Sequence, residues 1–176
     1  QEPHKHFLYV KAVFNVTNKD EIQLQFPTWR PGRYEKADFV KNINSWKVLD
    51  DSGKTLQTEK KTKDSWVVSC ANTEKVIVQY RYFAFELNAG STYIDQDHFY
   101  VNPVNCCIYE KDKETEPCQV TLDIPASFEV ASAQNFSEGT AQFGSYHEWV
   151  DNPVIASTQL QHQTYESHGV QFHIWF

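Results

Sequence analysis

The segments Leu8-Tyr-Val-Lys-Ala-Val-Phe-Asn-Val16 and Ile22-Gln-Leu-Gln-Phe26 decide the fold class of this chain. In both segments apolar residues stand at every second position, which is the pattern of a β-strand with one buried face. Residues 18–20 between them supply a turn, so the two strands are candidates for a β-hairpin. Pro27 ends the second strand, because proline cannot donate a hydrogen bond to a neighbouring strand.

Short strands and turns continue along the rest of the chain. Asp50-Asp-Ser-Gly53 is the clearest turn, because glycine accepts the positive φ that a tight hairpin requires. Strands are predicted on both sides of it, at residues 46–49 and 54–58. By the same reasoning, further strands are predicted at residues 65–70, 75–85, 99–109, 118–124, 128–133, 142–150, 154–163 and 170–176.

A single short helix is predicted within residues 36–44, where Phe39, Val40 and Ile43 have three- and four-residue spacing. The chain is therefore predicted to be all-β, an antiparallel β-sandwich-like two-sheet domain with at most one short helix. Residues 1–176 are expected to form one domain, since this length suits a single core. The last predicted strand is still apolar at Phe176, so we expect further chain beyond it.

Composition narrows the classes of partner. Phe, Tyr and Trp make up 15% of the residues, and such side chains pack well on a half-buried sheet. The formal net charge of -7 argues against a nucleic-acid partner, whose phosphates attract basic proteins. No apolar run approaches the roughly 20 residues that a membrane-spanning helix needs, so no membrane span is expected.

The four cysteines lack the C-x-x-C spacing of zinc or redox motifs; they are Cys70, Cys106, Cys107 and Cys118. Either Cys106 or Cys107 could form a disulfide with Cys118 across a hairpin, as in an oxidising compartment. Reduced and buried cysteines are an equal alternative. The disulfide state stays open at this point.

No complete catalytic motif occurs in the sequence. His147-Glu-Trp-Val-Asp151 approaches the zinc motif H-E-x-x-H, but Asp replaces the second His and Pro153 interrupts any helix. We interpret this segment as a strand with Trp149 directed inward, followed by a turn. The chain also lacks G-x-S-x-G and phosphate-binding glycine motifs, and its remaining histidines are spaced too irregularly to predict a metal site.

The most distinctive stretch is Leu24-Gln-Phe-Pro27-Thr-Trp29-Arg-Pro31-Gly32-Arg-Tyr34, followed by Phe39 and Ile43. It resembles the L-P-x-W-x-P-G-x-Y…F-x-x-x-[IV] signature of the glycyl aminopeptidase family, metallopeptidase family sixty-one. Tyr146 to Val154, with Asp151 and Pro153, is similar to the family's Y-x-x-L-x-D-x-P-[VI], although Trp149 replaces Leu. Further similar segments follow in the family's order; they are residues 46–53, 78–82, 91–102 and 122–125.

This resemblance implies a non-catalytic amino-terminal domain of a zinc aminopeptidase. The catalytic domain, its H-E-x-x-H and its zinc would follow residue 176, so no catalytic residue, metal ligand or cofactor is expected in this chain. The expected partners are the catalytic domain of the same polypeptide and the peptide substrate of the whole enzyme. By analogy, the loop at residues 91–102 would approach the substrate's free amine, with Asp95 or Asn102 as its partner. The motif residues have a structural role in this interpretation; they are Pro27, Trp29, Pro31, Gly32, Tyr34, Asp151 and Pro153.

Two other functions compete with this one. A free-standing carbohydrate- or peptide-binding module would use exposed aromatic rings, with Trp29, Trp66 and Trp175 as candidates. An independent hydrolase would need activity from this chain alone. The chain begins at Gln1, without Met, which favours removal of a signal peptide and an extracytoplasmic location, periplasmic or secreted.

Overall fold

The computed structural model describes residues 3–30, 32–33 and 35–176. Over these residues the chain forms fifteen β-strands, two α-helices of about one turn each and two short 3-10 helices at Pro3–Lys5 and Phe39–Asn42. The strands are β1 (Phe7–Asn15), β2 (Glu21–Gln25), β3 (Ile43–Leu49), β4 (Thr58–Lys60), β5 (Ser65–Ser69), β6 (Lys75–Phe83), β7 (Tyr93–Ile94), β8 (His98–Val101), β9 (Tyr109–Glu110), β10 (Cys118–Thr121), β11 (Glu129–Ala131), β12 (Thr140–Phe143), β13 (Val154–Ser157), β14 (His162–Ser167) and β15 (Val170–Trp175). The helices are α1 (Pro103–Cys106) and α2 (Tyr146–Val150). The all-β prediction is confirmed.

Two antiparallel sheets enclose the main hydrophobic core. One has the strand order β1-β6-β3 and the other β4-β5-β2-β9. Their inner faces meet in one cluster of buried side chains, which includes Phe26, Trp66, Val78 and Tyr80. As in a β-sandwich, each sheet buries one face against the other.

The alternation predicted for β1 and β2 is confirmed, but their pairing as a hairpin is wrong. Along β1, residues 8, 10, 12 and 14 are half-buried and the residues between them are exposed. β1 pairs with β6 along its whole length, from Phe7 opposite Phe83 to Asn15 opposite Lys75. β2 pairs instead with β5 and β9 in the other sheet. Crossing between sheets lets the two apolar faces pack on each other, which a hairpin in one sheet would prevent.

The predicted turn at residues 50–53 is confirmed. Gly53 has φ +87°, and its N–H donates to the carbonyl oxygen of Asp50 at 3.1 Å. The Asp50 carboxylate also accepts hydrogen bonds from the backbone N–H groups of Ser52 and Lys54. The Asp50 side chain thus stabilises the turn through these hydrogen bonds.

Two further sheets have the strand orders β11-β13-β8-β7 and β10-β12, and both helices lie near them in the sequence. α1 lies within the predicted strand 99–109 and α2 within the predicted strand 142–150, so these strands are shorter than predicted and the helical content is slightly higher. α1 has Pro103 in its first turn, where a missing N–H costs nothing. α2 is capped by Ser145, whose hydroxyl accepts from the N–H of Glu148 at 3.0 Å. The predicted helix within residues 36–44 is the 3-10 helix at Phe39–Asn42.

All four cysteines are free in this structure. Cys70 and Cys106 are buried, and Cys107 and Cys118 are half-buried, so the reduced alternative is the one that the structure contains. No helix among the described residues is long and apolar enough to cross a membrane. The last two strands form a hairpin that is a separate two-stranded sheet.

Candidate functional site

The proline-rich segment that begins at Pro27, after β2, is called the corner. Phe26 anchors it to the core. This side chain is fully buried, and its ring centroid lies 5.3 Å from that of Tyr80 and 5.8 Å from that of Trp66. Trp29 is 50% exposed, so it does not fix the corner to the core. Gly32 has φ +81°, a conformation that favours glycine, whereas Pro31 and Tyr34 lie outside the described residues.

Arg30 connects this corner to a turn at residues 88–91. A side-chain carbon added at Gly90 would lie within 1.6 to 2.0 Å of the Arg30 guanidinium group. The guanidinium therefore packs directly on the backbone of Gly90, a position that the lack of a side chain leaves open. Two segments far apart in the sequence are joined at this contact.

Two asparagine side chains also hold this turn. The amide nitrogen of Asn102 donates to the carbonyl oxygen of Ser91 at 2.8 Å and to the hydroxyl of Tyr100 at 3.1 Å. The amide nitrogen of Asn105 donates to the carbonyl oxygen of Gly90 at 3.0 Å. Both asparagines are buried, and the side-chain oxygen of Asn105 has no hydrogen-bond partner among the described residues.

A cavity of about 280 Å³ lies between the corner and the turn. Its wall contains Ser91 and Asn105 from the turn side. Charged residues of both signs form much of the remainder; among them are Arg33, Glu35, Lys36, Asp38, Lys41 and Glu86. A pocket with this lining suits small polar groups or water, and the predicted site residue Asn102 shapes it only through the turn.

Asp95, the other predicted site residue, closes the turn between β7 and β8. Its carboxylate accepts from the backbone N–H groups of Asp97 at 2.9 Å and His98 at 2.7 Å, and from the hydroxyl of Tyr93 at 3.0 Å. The His98 ring nitrogen Nδ1 lies 3.0 Å from the same carboxylate. Partial burial raises the pKa of Asp95, but these hydrogen bonds outweigh it, so its pKa lies below the ordinary value of 3.8.

The structure does not bring Asp95 and Asn102 together. They lie at opposite ends of β8, which is four residues long, so roughly 13 Å of extended strand lies between them. Asp95 remains partly accessible, with 24% of its side chain exposed, whereas Asn102 is buried. Of the two, only Asp95 has a side chain that is accessible from outside, and Asn102 supports the turn.

The segment His147 to Asp151 lies in the one-turn helix α2 and its C-cap, and our interpretation of this segment as a strand is wrong. The sequence carries a signal for this helix in Ser145-x-x-Glu148, a capping-box pattern. The Glu148 carboxylate accepts from the N–H of Gly144 at 2.6 Å and from the side-chain amide of Gln134 at 2.9 Å. Trp149 is buried, as predicted. Glu148 is thus committed to local structure.

Asp151 and Pro153 define the end of this helix. The N–H of Asp151 donates to the carbonyl oxygen of His147 at 3.3 Å, as a C-cap does. Pro153 follows shortly and prevents another helical turn. The structural role expected for these two residues stays a prediction.

The histidines do not gather into a metal site. Within residues 3–30, 32–33 and 35–176, no group of three or more His, Cys, Asp or Glu side chains has the arrangement to hold a metal ion. His162 and His173 nevertheless meet across the last hairpin, with Nε2 and Nδ1 2.9 Å apart. Sequence spacing missed this pair because only the register of two paired strands creates it.

The three tryptophans of the alternative binding module lie in different environments. Trp66 is 8% exposed and stacks on Trp46 with a centroid distance of 4.7 Å, so it cannot contact a ligand. Trp175 is half-buried and stacks on the ring of His162 at 4.0 Å. Only Trp29 of the three is exposed, so the binding-module hypothesis keeps one of its three tryptophan candidates.

Comparison with known proteins gave one family and a similar solved structure. The model of the peptidase M61 N-terminal domain matches residues 1–158. The crystal structure of an aminopeptidase N family protein from Idiomarina loihiensis has a TM-score of 0.88 and 23% sequence identity over 99% of this chain. The chain spans 30% of that protein, and at this identity the similarity shows a shared fold. No curated protein matches the chain.

Proposed function

The chain belongs to the family of peptidase M61 N-terminal domains, and from this premise we propose that it is the non-catalytic amino-terminal domain of a zinc aminopeptidase. The resemblance to metallopeptidase family sixty-one that the motifs indicated is confirmed by this match. The proposed reaction is removal of small amino-terminal residues from peptides, as the resemblance to glycyl aminopeptidases implies. The zinc would be held by the catalytic domain that follows this one.

The observation that carries the proposal is the family match over residues 1–158. The state of the acidic side chains supports it. The carboxylates of Asp95 and Glu148 each accept hydrogen bonds that hold local structure, Asp95 from the N–H groups of Asp97 and His98 and Glu148 from Gly144 and Gln134, so neither is placed as a general acid or base. These groups maintain the scaffold, and the chemistry is assigned to another domain.

We further propose that the turn at residues 88–91 and the β7–β8 hairpin line the substrate cleft of the whole enzyme. Arg30, Asn102 and Asn105 all converge on this turn, which gives it a fixed shape. The carboxylate of Asp95 is partly exposed and, with a pKa below the ordinary 3.8, is ionised at neutral pH, as a partner for a substrate ammonium group must be. Asn102 would act by positioning the turn.

The catalytic assignment is tested with the full-length protein and glycyl and alanyl arylamide substrates. We expect hydrolysis that a chelator abolishes and zinc restores, and no hydrolysis by residues 1–176 alone. Activity of the 176-residue chain would refute the non-catalytic role. Absence of any activity in the zinc-loaded full-length protein would refute the aminopeptidase assignment.

The cleft assignment is tested separately with Asp95→Asn in the full-length protein. This variant keeps an oxygen that accepts from the N–H groups of Asp97 and His98, but it loses the negative charge. We expect KM to rise about tenfold, the effect of losing one exposed charge-assisted contact. Asp97→Asn, in the same turn, is the matched control. Equal kcat/KM in wild type and Asp95→Asn would remove Asp95 from the cleft.

A further inference from the structure

The hairpin formed by β14 and β15 is amphipathic. His168 and Gly169 at its tip both have positive φ, as in a tight two-residue turn. Residues that stand opposite each other share a face, and Tyr165 stands opposite Phe172. Alternation along the strands then collects all the large exposed apolar side chains of the hairpin on this one face; they are Tyr165, Val170, Phe172, Ile174 and Phe176. We call this set the apolar face.

The apolar face is uncovered in the described part of the chain. Its five large side chains are between 41% and 55% exposed. The opposite face is mostly polar, with Glu166, Gln171 and the stacked rings of His162 and His173. Such alternation is the pattern of a strand pair with one buried face, yet the side chains of this face are about half exposed in the described residues. A two-stranded hairpin by itself is only marginally stable in water.

We propose that the apolar face docks on the catalytic domain of the same polypeptide. This inference rests on the proposed function, in which that domain follows the present chain. A contiguous apolar patch on a polar domain marks an interaction surface. The family match ends at residue 158, before the hairpin, so the hairpin lies on the carboxyl-terminal side of the matched domain, where the catalytic domain would be joined.

The connection of the chain favours the catalytic domain over other occupants. Phe176 is itself a member of the apolar face, and its backbone N–H and carbonyl pair with Gln161. In the proposed full-length protein, the polypeptide that leads to the catalytic domain would therefore start beside this face. A domain on the same polypeptide has a higher effective concentration at the patch than a separate partner has.

The first test uses hydroxyl-radical footprinting of the full-length wild-type protein. Tyr165 is 51% exposed in this structure, and Tyr9, on the outer face of β1, is 45% exposed. For each tyrosine, the reaction rate in the folded protein is compared with the rate in the unfolded protein. We expect Tyr165 to react at least about fivefold more slowly when folded, because half exposure alone accounts for only about a twofold reduction. A reduction of about twofold at Tyr165 would overturn the docking.

The second test uses two variants of the same strand. Phe172→Thr with Ile174→Thr changes the apolar face, and Gln171→Thr with His173→Thr changes the opposite face; threonine suits a strand in both. We expect the first variant to be cleaved by protease near the hairpin about tenfold faster in the full-length protein, since domain opening becomes more frequent. The second variant should resemble wild type. Equal cleavage rates in both variants would overturn the proposal.

The mass of the full-length protein distinguishes docking within one chain from pairing of two chains. Its aminopeptidase activity shows whether the docking and the proposed reaction stand or fall separately. If a wild-type dimer dissociates in the Phe172→Thr, Ile174→Thr variant by analytical ultracentrifugation, a second copy covers the face and the proposal fails. Protection of Tyr165 is measured without substrate. If Tyr165 is protected in a monomer that has no aminopeptidase activity, the docking stands and the proposed reaction fails. If the enzyme is active and Tyr165 is unprotected, the docking fails and the reaction stands.

Discussion

Asn102→Asp is the most informative change in the candidate site, because it keeps the shape of the side chain and changes one group. The amide nitrogen of Asn102 donates to the carbonyl oxygen of Ser91 at 2.8 Å and, more weakly, to that of Ala89 at 3.4 Å. In aspartate an oxygen takes the place of this nitrogen. An ionised carboxylate would then face two carbonyl oxygens in a position that is only 7% exposed.

The expected loss of stability depends on pH. The buried carboxyl of Asn102→Asp should keep its proton in the folded protein, with a pKa raised by about 3 units above the value in the unfolded chain. Because the folded state then binds the proton more tightly, stability falls as pH rises, by about 1.4 kcal/mol for each pH unit above about 4. Near pH 4 the loss should be about 1 to 2 kcal/mol, from hydrogen bonds alone. At pH 7.5 it should approach about 5 kcal/mol.

Urea unfolding of the 176-residue chain, followed by tryptophan fluorescence at pH 4.5, 6 and 7.5, measures this dependence. Asn88→Asp is the matched control, because Asn88 is exposed and its side-chain oxygen accepts from the N–H of Gly90 at 3.0 Å, which a carboxylate also does. We expect the control to follow wild type. A loss in Asn102→Asp that is the same at all three pH values would refute the burial of this side chain and its contacts with the turn.

Two further predictions concern the core and the β7–β8 turn. Phe26→Ala should lower the free energy of unfolding by about 3 to 5 kcal/mol, because it leaves a cavity beside Tyr80. Val13→Ala, at a side chain that is 50% exposed, should change the free energy of unfolding by about 0.5 kcal/mol or less. Urea unfolding of the two variants measures both values. Since the folded protein lowers the pKa of Asp95, the stability it contributes is present above the unfolded pKa and is lost as pH falls through the folded value. Melting temperatures measured down to about pH 3 should therefore fall less in Asp95→Asn than in wild type or Asp97→Asn, and equal acid profiles would contradict the role of this carboxylate.

Local sequence patterns were sufficient to predict which face of a strand points inward and where turns occur. The alternation along residues 8–16 predicted which side chains of β1 point inward, since the period of a strand is a property of the backbone alone. Gly53 predicted its turn because glycine accepts the positive φ that this position has. The short helix α2 was also encoded locally, by Ser145 and Glu148, although the strand predicted at residues 142–150 overlooked this cap.

The contacts of the candidate site could not be predicted in this way. The packing of Arg30 on Gly90 joins residues from separate loops, and the hydrogen bonds of Asn102 cross from the end of β8 to another turn. None of these residues belongs to a motif with a fixed spacing. Asp95 was singled out by family analogy, and only the tertiary structure shows that its carboxylate holds a turn.

The amino-acid sequence by itself determined the class of the fold, the inward faces of its main strands and, through ordered motifs, its family. Those properties depend on local spacing, which a chain carries before it folds. The tertiary structure decided that β1 pairs with β6 and β2 with β5, because strand partners are selected by burial of whole faces. It also decided that five apolar side chains of the last hairpin share one uncovered face, since only the register between two strands brings them together.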